Sequence, residues 1–288
     1  MPMTVIKGEY RVLGAAPDGD SIRFYPDAAD AWKRAGLRVR ANAAGGAQLR
    51  LEGIDALETH YTPTVGDLRN LHQPHDLGRA AAAELLRLLG FDDVQRGANE
   101  IVSAAAPATR PGHILTRFAD KYGRAVAFAF AGTTDGPDLA PVFVDAAAIA
   151  GSTNHQLLAS GLVYPTYYSK LFVDLRAALN QAVAEARAAD RGVWPDDLTT
   201  KGVTVDGLAV LTDTAVLLPK LFRRLVDYLS INSGDVSLAG LPAYLATRDD
   251  RVIVASTGQV TGFDNILEVD GQTVLATRPP EDLVFLEA

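Results

Sequence analysis

The sequence contains no cysteine, which excludes disulfide scaffolds, thiolate zinc sites and cysteine nucleophiles. It also lacks any apolar run near the roughly 18 residues that a membrane-spanning helix needs. The first residues lack the basic and then apolar pattern of a signal peptide. From these features we expect a cytoplasmic protein that has no membrane partner; the sequence does not identify a protein partner.

Basic residues are in the minority, with 27 Lys and Arg against 35 Asp and Glu and a formal net charge of −8. Because phosphate contacts require Lys and Arg, this balance argues against a protein whose whole surface binds nucleic acid. It does not argue against a locally basic cleft. The 48% hydrophobic and 22% charged content supports a packed core and excludes wholesale disorder.

The 288 residues are enough for two domains, and the character of the chain changes after Asp197. We predict a first domain over residues 1–197 and a smaller C-terminal accessory α+β extension over 198–288, whose role the sequence does not indicate. Apolar spacing predicts strands at 9–16, 21–25, 48–54, 114–118 and 124–131, and helices at 76–89, 172–189 and 219–229. The segments 27–46 and 97–111 are predicted to be long surface excursions or loops.

Charged residues are concentrated in three short segments of the first domain. They are Asp18-Gly19-Asp20-Ser21, the stretch from 50 to 59, and Asp120-Lys121-Tyr122-Gly123-Arg124. Taken separately, they are typical of a turn, a half-exposed strand and a hairpin loop. The separate patterns therefore do not by themselves indicate a function.

Taken together, the three segments contain the parts of a phosphodiesterase site. Asp20 and Asp55 could share a hard cation, and Glu58, three residues further on, could hold or deprotonate a water molecule. Arg50 and Arg124 come from different strands and could both bind one phosphate, because guanidinium matches phosphate geometry. In-line hydrolysis needs fixed positive groups of this kind, since negative charge develops at phosphorus.

The order and spacing of these motifs resemble the staphylococcal nuclease (thermonuclease) family. The turn at 18–21 is similar to its Asp-Gly-Asp-Thr turn, and the stretch at 50–59 has its Arg, then Asp five residues later, then Glu three further. The segment at 120–124 matches its Asp-Lys-Tyr-Gly-Arg residue for residue. Asn154, Gly161-Leu162, Tyr167 and Trp194 follow in the family's order, so that the resemblance spans about residues 7–197.

The resemblance implies an α+β fold in which helices pack on a five-stranded OB-fold barrel, an architecture that commonly binds oligonucleotides. It also implies a calcium-dependent nuclease that hydrolyses DNA, and RNA as a further substrate, with weak sequence preference, leaving 3′-phosphate ends. The alternative is a non-catalytic OB-fold module that binds nucleic acid or protein.

Carried over by position, the resemblance implies a Ca²⁺ site. Asp20, Asp55 and the main-chain carbonyl of Ala56 would be its ligands, and Asp18 would support them from behind. Glu58 would act on the attacking water as general base or as its positioner.

The resemblance also implies a substrate-binding set. Arg50 and Arg124 would bind the phosphate and stabilise the transition state. Lys121 and Tyr122 would contact the flanking phosphate, and Tyr167 would contact the nucleotide.

Some positions depart from the family pattern. Ala56 and Leu57 replace Thr-Pro. Ser169 stands in place of a second tyrosine, and this replacement predicts weaker substrate binding. The basic stripe that contains Lys220, Arg223 and Arg224 is more typical of a solvated helix face than of a DNA contact. The histidines lack the ligand spacing of a zinc site.

Overall fold

Strands and helices alternate along the chain. The computed structural model describes residues 1–97, 100–232 and 235–287. Within them the strands are β1 (Pro2–Arg11), β2 (Ser21–Pro26), β3 (Ala47–Leu51), β4 (Ile54–Ala56), β5 (Asp93–Arg96), β6 (Val102–Ala106), β7 (Thr109–Ala119), β8 (Ala125–Ala131), β9 (Pro141–Phe143), β10 (Val163–Pro165), β11 (Tyr167–Tyr168), β12 (Val203–Thr204), β13 (Arg251–Val254), β14 (Gln259–Gly262), β15 (Leu267–Asp270), β16 (Thr273–Ala276) and β17 (Leu283–Phe285). The helices are α1 (Ala31–Arg34), α2 (His75–Leu88), α3 (Ala146–Ala150), α4 (Thr153–Ala159), α5 (Val173–Ala188), α6 (Pro219–Ile231) and α7 (Leu241–Ala246).

Five strands close into a barrel. They pair in the order β1–β2–β3–β8–β7, and β7 pairs back with β1. The β3–β8 pairing is parallel and the other four are antiparallel. Side chains alternate between the two faces of each strand, so that Leu49 and Leu51 of β3 are buried together with Ala125 and Ala127 of β8. The predicted mixed α+β chain with a five-stranded barrel is confirmed.

Helix α4 is fixed to the barrel by one buried amide. The Nδ2 atom of Asn154 donates to the carbonyl oxygens of Glu52 at 2.9 Å and Ala127 at 3.1 Å, and its Oδ1 accepts from the backbone N–H of Ala129 at 3.0 Å. These bonds join the helix both to β8 and to the turn that follows β3. That turn contains Gly53, whose φ of +79° favours glycine. The strand predicted over 48–54 is therefore interrupted here, and the chain continues as β4.

The C-terminal segment packs directly on the first part of the chain. Strand β17 pairs in parallel with β11, with Tyr167 opposite Val284. The apolar face of α6 belongs to the same continuous buried core as the barrel. Gln73, fully buried, donates to the carbonyl oxygen of Leu217 at 2.8 Å. No helix within the described ranges combines the length and the apolar character that crossing a membrane requires.

Two segments predicted as loops contain regular structure. The excursion over 27–46 forms α1, because Trp32 is buried and its ring contacts Phe24 with centroids 6.2 Å apart. The segment 97–111 includes β6, which forms a hairpin with β5, and the start of β7; positions 98 and 99 of this prediction lie outside the described residues. The small side chains of Val102–Ala106 give little apolar alternation, so the sequence pattern did not indicate a strand.

The division of the chain at Asp197 can be tested by truncation. We expect a chain that ends there to lose cooperative unfolding, because it lacks the partner strand of β11 and the helix that covers the acidic site described below. The measurement is urea unfolding followed by tryptophan fluorescence and circular dichroism. A truncated chain that unfolds in one sharp transition at the urea concentration of the full chain would show that residues 198–288 form a separate domain.

Candidate active site

Two of the three charged segments meet at one rim of the barrel. The turn that contains Asp20 leads into β2, where Ser21 lies opposite Arg50 of β3. Gly19 allows this turn to lie close against β4, since a Cβ atom there would lie 2.7 Å from the Cβ of Ala56. The Asp20 carboxyl consequently shares a hydrogen bond with the Asp55 carboxyl. The two aspartates that the motifs predicted to lie together do so.

The two carboxyl groups are electrostatically different. Burial, and then the charges of Asp18 and Asp55, raise the pKa of Asp20 well above its ordinary value. Burial would also raise the pKa of Asp55, but the guanidinium groups of Arg223 and Arg50 lower it below the ordinary value. Burial and the neighbouring carboxylates therefore favour the protonated form of Asp20, whereas the two guanidinium groups favour the charged form of Asp55.

The cation that neutralises Asp55 comes from helix α6. Arg223 Nη2 donates to Asp55 Oδ2 at 2.6 Å, and Nη1 lies 3.4 Å from Oδ1. The same Nη1 donates to Glu58 Oε1. The Asp55 side chain is only 2% exposed and that of Arg223 20%, so this guanidinium is the main neutralising charge for a buried carboxylate.

Glu58 is positioned through its backbone by Gln73. The Glu58 N–H donates to Gln73 Oε1 at 3.2 Å, and the Gln73 N–H donates to the Glu58 carbonyl at 2.8 Å. The Gln73 amide also donates to the carbonyl oxygen of Leu217, which lies just before α6. The same buried side chain therefore contacts both Glu58 and the segment that leads to Arg223. Of the Glu58 carboxylate, Oε1 is occupied by Arg223.

Arg50 has unused hydrogen-bonding capacity. Its guanidinium carbon lies 5.4 Å from the ring centroid of Tyr168, a cation–π distance. Its Nη2 atom is buried and, among the described residues, has no hydrogen-bond partner. A buried donor without a partner costs about 1–3 kcal/mol, so an anionic ligand that reached Nη2 would recover this cost.

Arg124 lies on the same face of the barrel wall as Arg50. Leu49 of β3 is paired with Ala125 of β8 and both are buried, so Arg50, next to Leu49, and Arg124, directly before β8, are expected on the opposite face. Asp120 fixes Arg124 by accepting from its Nε at 2.7 Å.

Lys121 and Tyr122 are exposed at the tip of the same hairpin. Tyr122 is 65% exposed, and both the Lys121 ammonium and the Arg124 guanidinium lie 5.6 Å from its ring centroid. These positions leave both side chains accessible to a ligand that binds at Arg124.

The predicted nucleotide contact of Tyr167 requires correction. Tyr167 is fully buried, and its hydroxyl donates to Asn180 Oδ1 of α5 at 2.6 Å. Because side chains alternate along β11, the neighbouring Tyr168 is the tyrosine that lies beside Arg50. Ser169, which replaces the family's second tyrosine, donates to Glu287 in the C-terminal segment.

The predicted calcium ligands do not form a calcium site in this arrangement. Both oxygens of Asp55 accept from Arg223, and Asp20 is hydrogen-bonded to Asp55. Asp18 accepts from Ser21 Oγ at 2.6 Å, and Ala56 lies within β4, opposite Val163. Across the described ranges, no group of three or more acidic or histidine side chains is arranged to hold a metal ion. The donors fit a guanidinium here, and calcium binding stays a prediction.

Sequence reasoning missed Arg223, Tyr168 and Gln73. The stripe that contains Arg223 was interpreted as a solvated helix face, whereas the structure turns its two arginines toward separate carboxylates. Arg224 donates to Asp250, and Arg223 donates to Asp55 and Glu58. Two adjacent arginines on a strongly amphipathic helix were the available signal, but the sequence does not show which acids they reach.

The chain matches no protein-family model, and a search of curated proteins finds no similar sequence. The resemblance to the staphylococcal nuclease family therefore stays a prediction from the sequence motifs.

We expect Arg223→Gln to lower the free energy of unfolding by roughly 3 kcal/mol, because it leaves a buried carboxylate without its counter-charge. Asp55→Asn removes that carboxylate, so the double variant should be more stable than the sum of the single effects predicts. Urea unfolding of the four proteins measures this coupling. Effects that add within about 0.5 kcal/mol would show that the pair does not interact.

Glu52 gives a pH-dependent prediction. It is 3% exposed, and burial raises its pKa to about 7, against the opposing charge of Arg50. Between its ordinary value near 4.5 and about 7, the folded chain binds a proton that the unfolded chain has lost. Stability therefore falls as the pH rises through this window, by about 3 kcal/mol in total.

We expect Glu52→Gln to remove this loss and to be more stable than the wild type above about pH 7. Urea unfolding from about pH 5 to about pH 8 measures the difference between the two proteins. The exposed Glu268→Gln variant is the control. The prediction would be contradicted if the difference in free energy of unfolding between the wild type and Glu52→Gln did not change with pH.

Proposed function

We propose that this protein is a nuclease that resembles the staphylococcal nuclease family and hydrolyses phosphodiester bonds in DNA, with RNA as a second substrate. The observation that carries the proposal is the buried Arg50 Nη2 without a partner among the described residues, on the face of the barrel that also presents Arg124. Two guanidinium groups on one face suit one phosphate, because each can donate two parallel hydrogen bonds to its oxygens.

The architecture supports a nucleic-acid substrate. A closed five-stranded barrel that carries helices on its outside is compatible with the OB fold, which commonly binds oligonucleotides. Tyr122 and Lys121 are exposed next to Arg124, where an aromatic ring and an ammonium group can contact a neighbouring base and phosphate. The overall charge of −8 confines such contacts to this local group.

The proposed chemistry assigns a role to each side chain. Arg50 and Arg124 bind the phosphate and stabilise the charge that develops at phosphorus. Glu58 lies at the same rim, with Oε1 held by Arg223, and its other oxygen, Oε2, is the atom that would accept a hydrogen bond from the attacking water. Tyr168 supports Arg50 from one side of the guanidinium plane.

The second candidate is a barrel that binds nucleic acid without cleaving it. The observation in its favour is that Arg223 occupies Glu58 Oε1 and both oxygens of Asp55, so that these atoms are not free to hold a metal ion or a water molecule. Both candidates predict binding of single-stranded DNA, and only the nuclease predicts its cleavage.

Cleavage of labelled single-stranded DNA and RNA by the full chain, with calcium, magnesium or a chelator, tests the proposal. We expect Arg124→Lys and Arg50→Lys to lower kcat by a factor on the order of 10² or more, because lysine keeps the charge and loses the planar fork. DNA affinity should fall much less. Arg11→Lys, at an exposed arginine paired with Glu9, is the matched control and should cleave at the wild-type rate.

Wild-type protein that binds single-stranded DNA and cleaves it under none of these conditions would contradict the nuclease proposal and support the binding module. Cleavage at the wild-type rate by both arginine variants would show that the activity belongs to other residues.

A further inference from the structure

We propose that Arg223 is the resident cation of the carboxylate site: its guanidinium occupies the position between Asp55 and Glu58 that a divalent metal ion would otherwise take, and the site binds phosphate without a metal. This inference concerns the same site as the proposed function. The cation assignment itself depends only on the contacts of Arg223.

The first argument is the hydrogen-bond geometry. The Arg223 guanidinium donates to both oxygens of Asp55, at 2.6 and 3.4 Å, and through Nη1 also to Glu58. It therefore bridges the two carboxylates, as a shared metal ion would. A Ca²⁺ ion needs the same oxygens as ligands, so calcium and this guanidinium exclude one another.

The second argument is the anchoring of the helix that delivers the guanidinium. On either side of Arg223, Lys220 and Arg224 both donate to Asp250, at distances of 2.8 and 2.9 Å. Further along α6, Asp227 accepts from the Tyr61 hydroxyl at 2.8 Å, and Ser230 donates to the carbonyl of Val65 at 2.8 Å.

These bonds attach α6 to the loop that follows Glu58 and to the strand region that begins at Asp250. A helix fixed at both ends to separate parts of the fold holds its arginine in a defined position. Arg223 is therefore a fixed part of the site.

The consequence for ligands is a preference for a phosphate anion over a metal ion. Asp55 and Glu58 are already hydrogen-bonded to Arg223, whereas the buried Nη2 of Arg50 has no hydrogen-bond partner among the described residues and keeps a donor for a phosphate oxygen. Without Arg223, the two carboxylates would repel the same phosphate and attract a cation instead.

Calcium titration of the full chain by isothermal calorimetry tests the assignment. We expect wild-type protein to show no saturable calcium binding at millimolar concentrations. Arg223→Gln should bind one Ca²⁺ at least about tenfold more tightly, because the competing charge beside the carboxylates has been removed. The control is Arg11→Gln, which removes the same charge at an exposed arginine paired with Glu9 and leaves Asp55 and Glu58 paired; it should behave as the wild type.

Wild-type protein tests the proposal even if Arg223→Gln does not fold. A resident guanidinium predicts that millimolar calcium leaves the wild-type Tm unchanged and leaves the affinity for single-stranded DNA unchanged relative to chelator. A rise in Tm with calcium would show that the ion displaces Arg223 and binds the native site, which overturns the proposal.

Two further outcomes would also overturn it: equal calcium affinity in the wild type and Arg223→Gln, or a folded Arg223→Gln variant without any calcium binding. All these readouts are independent of cleavage. If the wild type does not cleave nucleic acid, the proposed nuclease function is disproved. If Arg223→Gln nevertheless gains calcium binding, the assignment of Arg223 as the resident cation is supported.

Discussion

The charge state of the candidate site depends on one ion pair, that of Arg223 with Asp55 and Glu58. Asp55 is almost completely buried, and a buried carboxylate persists as an ion only beside a fixed positive group. The guanidinium that supplies this charge is carried by a helix in the C-terminal segment, whereas the carboxylates belong to the first part of the chain. The candidate site is therefore built from both parts of the chain.

Arg50 has a different relation to its surroundings. Its guanidinium lies against an aromatic ring, and its buried Nη2 has no partner among the described atoms, while the nearby acids are already paired with Arg223. In such a site an arginine of the chain itself neutralises the carboxylates, and one buried guanidinium donor has no partner among the described residues. This combination makes the proposed phosphate binding compatible with a net charge of −8.

The sequence predicted the features that depend on local spacing. Asp20, Asp55 and Arg50 are close to one another because the turn before β2, the barrel strand β3 and the following strand β4 bring them together, and the motifs carry that spacing. Arg223 is separated from Glu58 by 165 positions, and no local pattern links the two. The resemblance implied a nucleotide contact for Tyr167, but that residue is buried in β11, which pairs with the distant strand β17, and no local pattern indicates this pairing.

A crystal structure of the wild-type protein grown in millimolar calcium tests the central claim most directly. The account predicts the Arg223 guanidinium between Asp55 and Glu58, with no anomalous signal from an ion at that position. An ion coordinated by Asp20 and Asp55, with the Arg223 side chain turned away from both carboxylates, would contradict it.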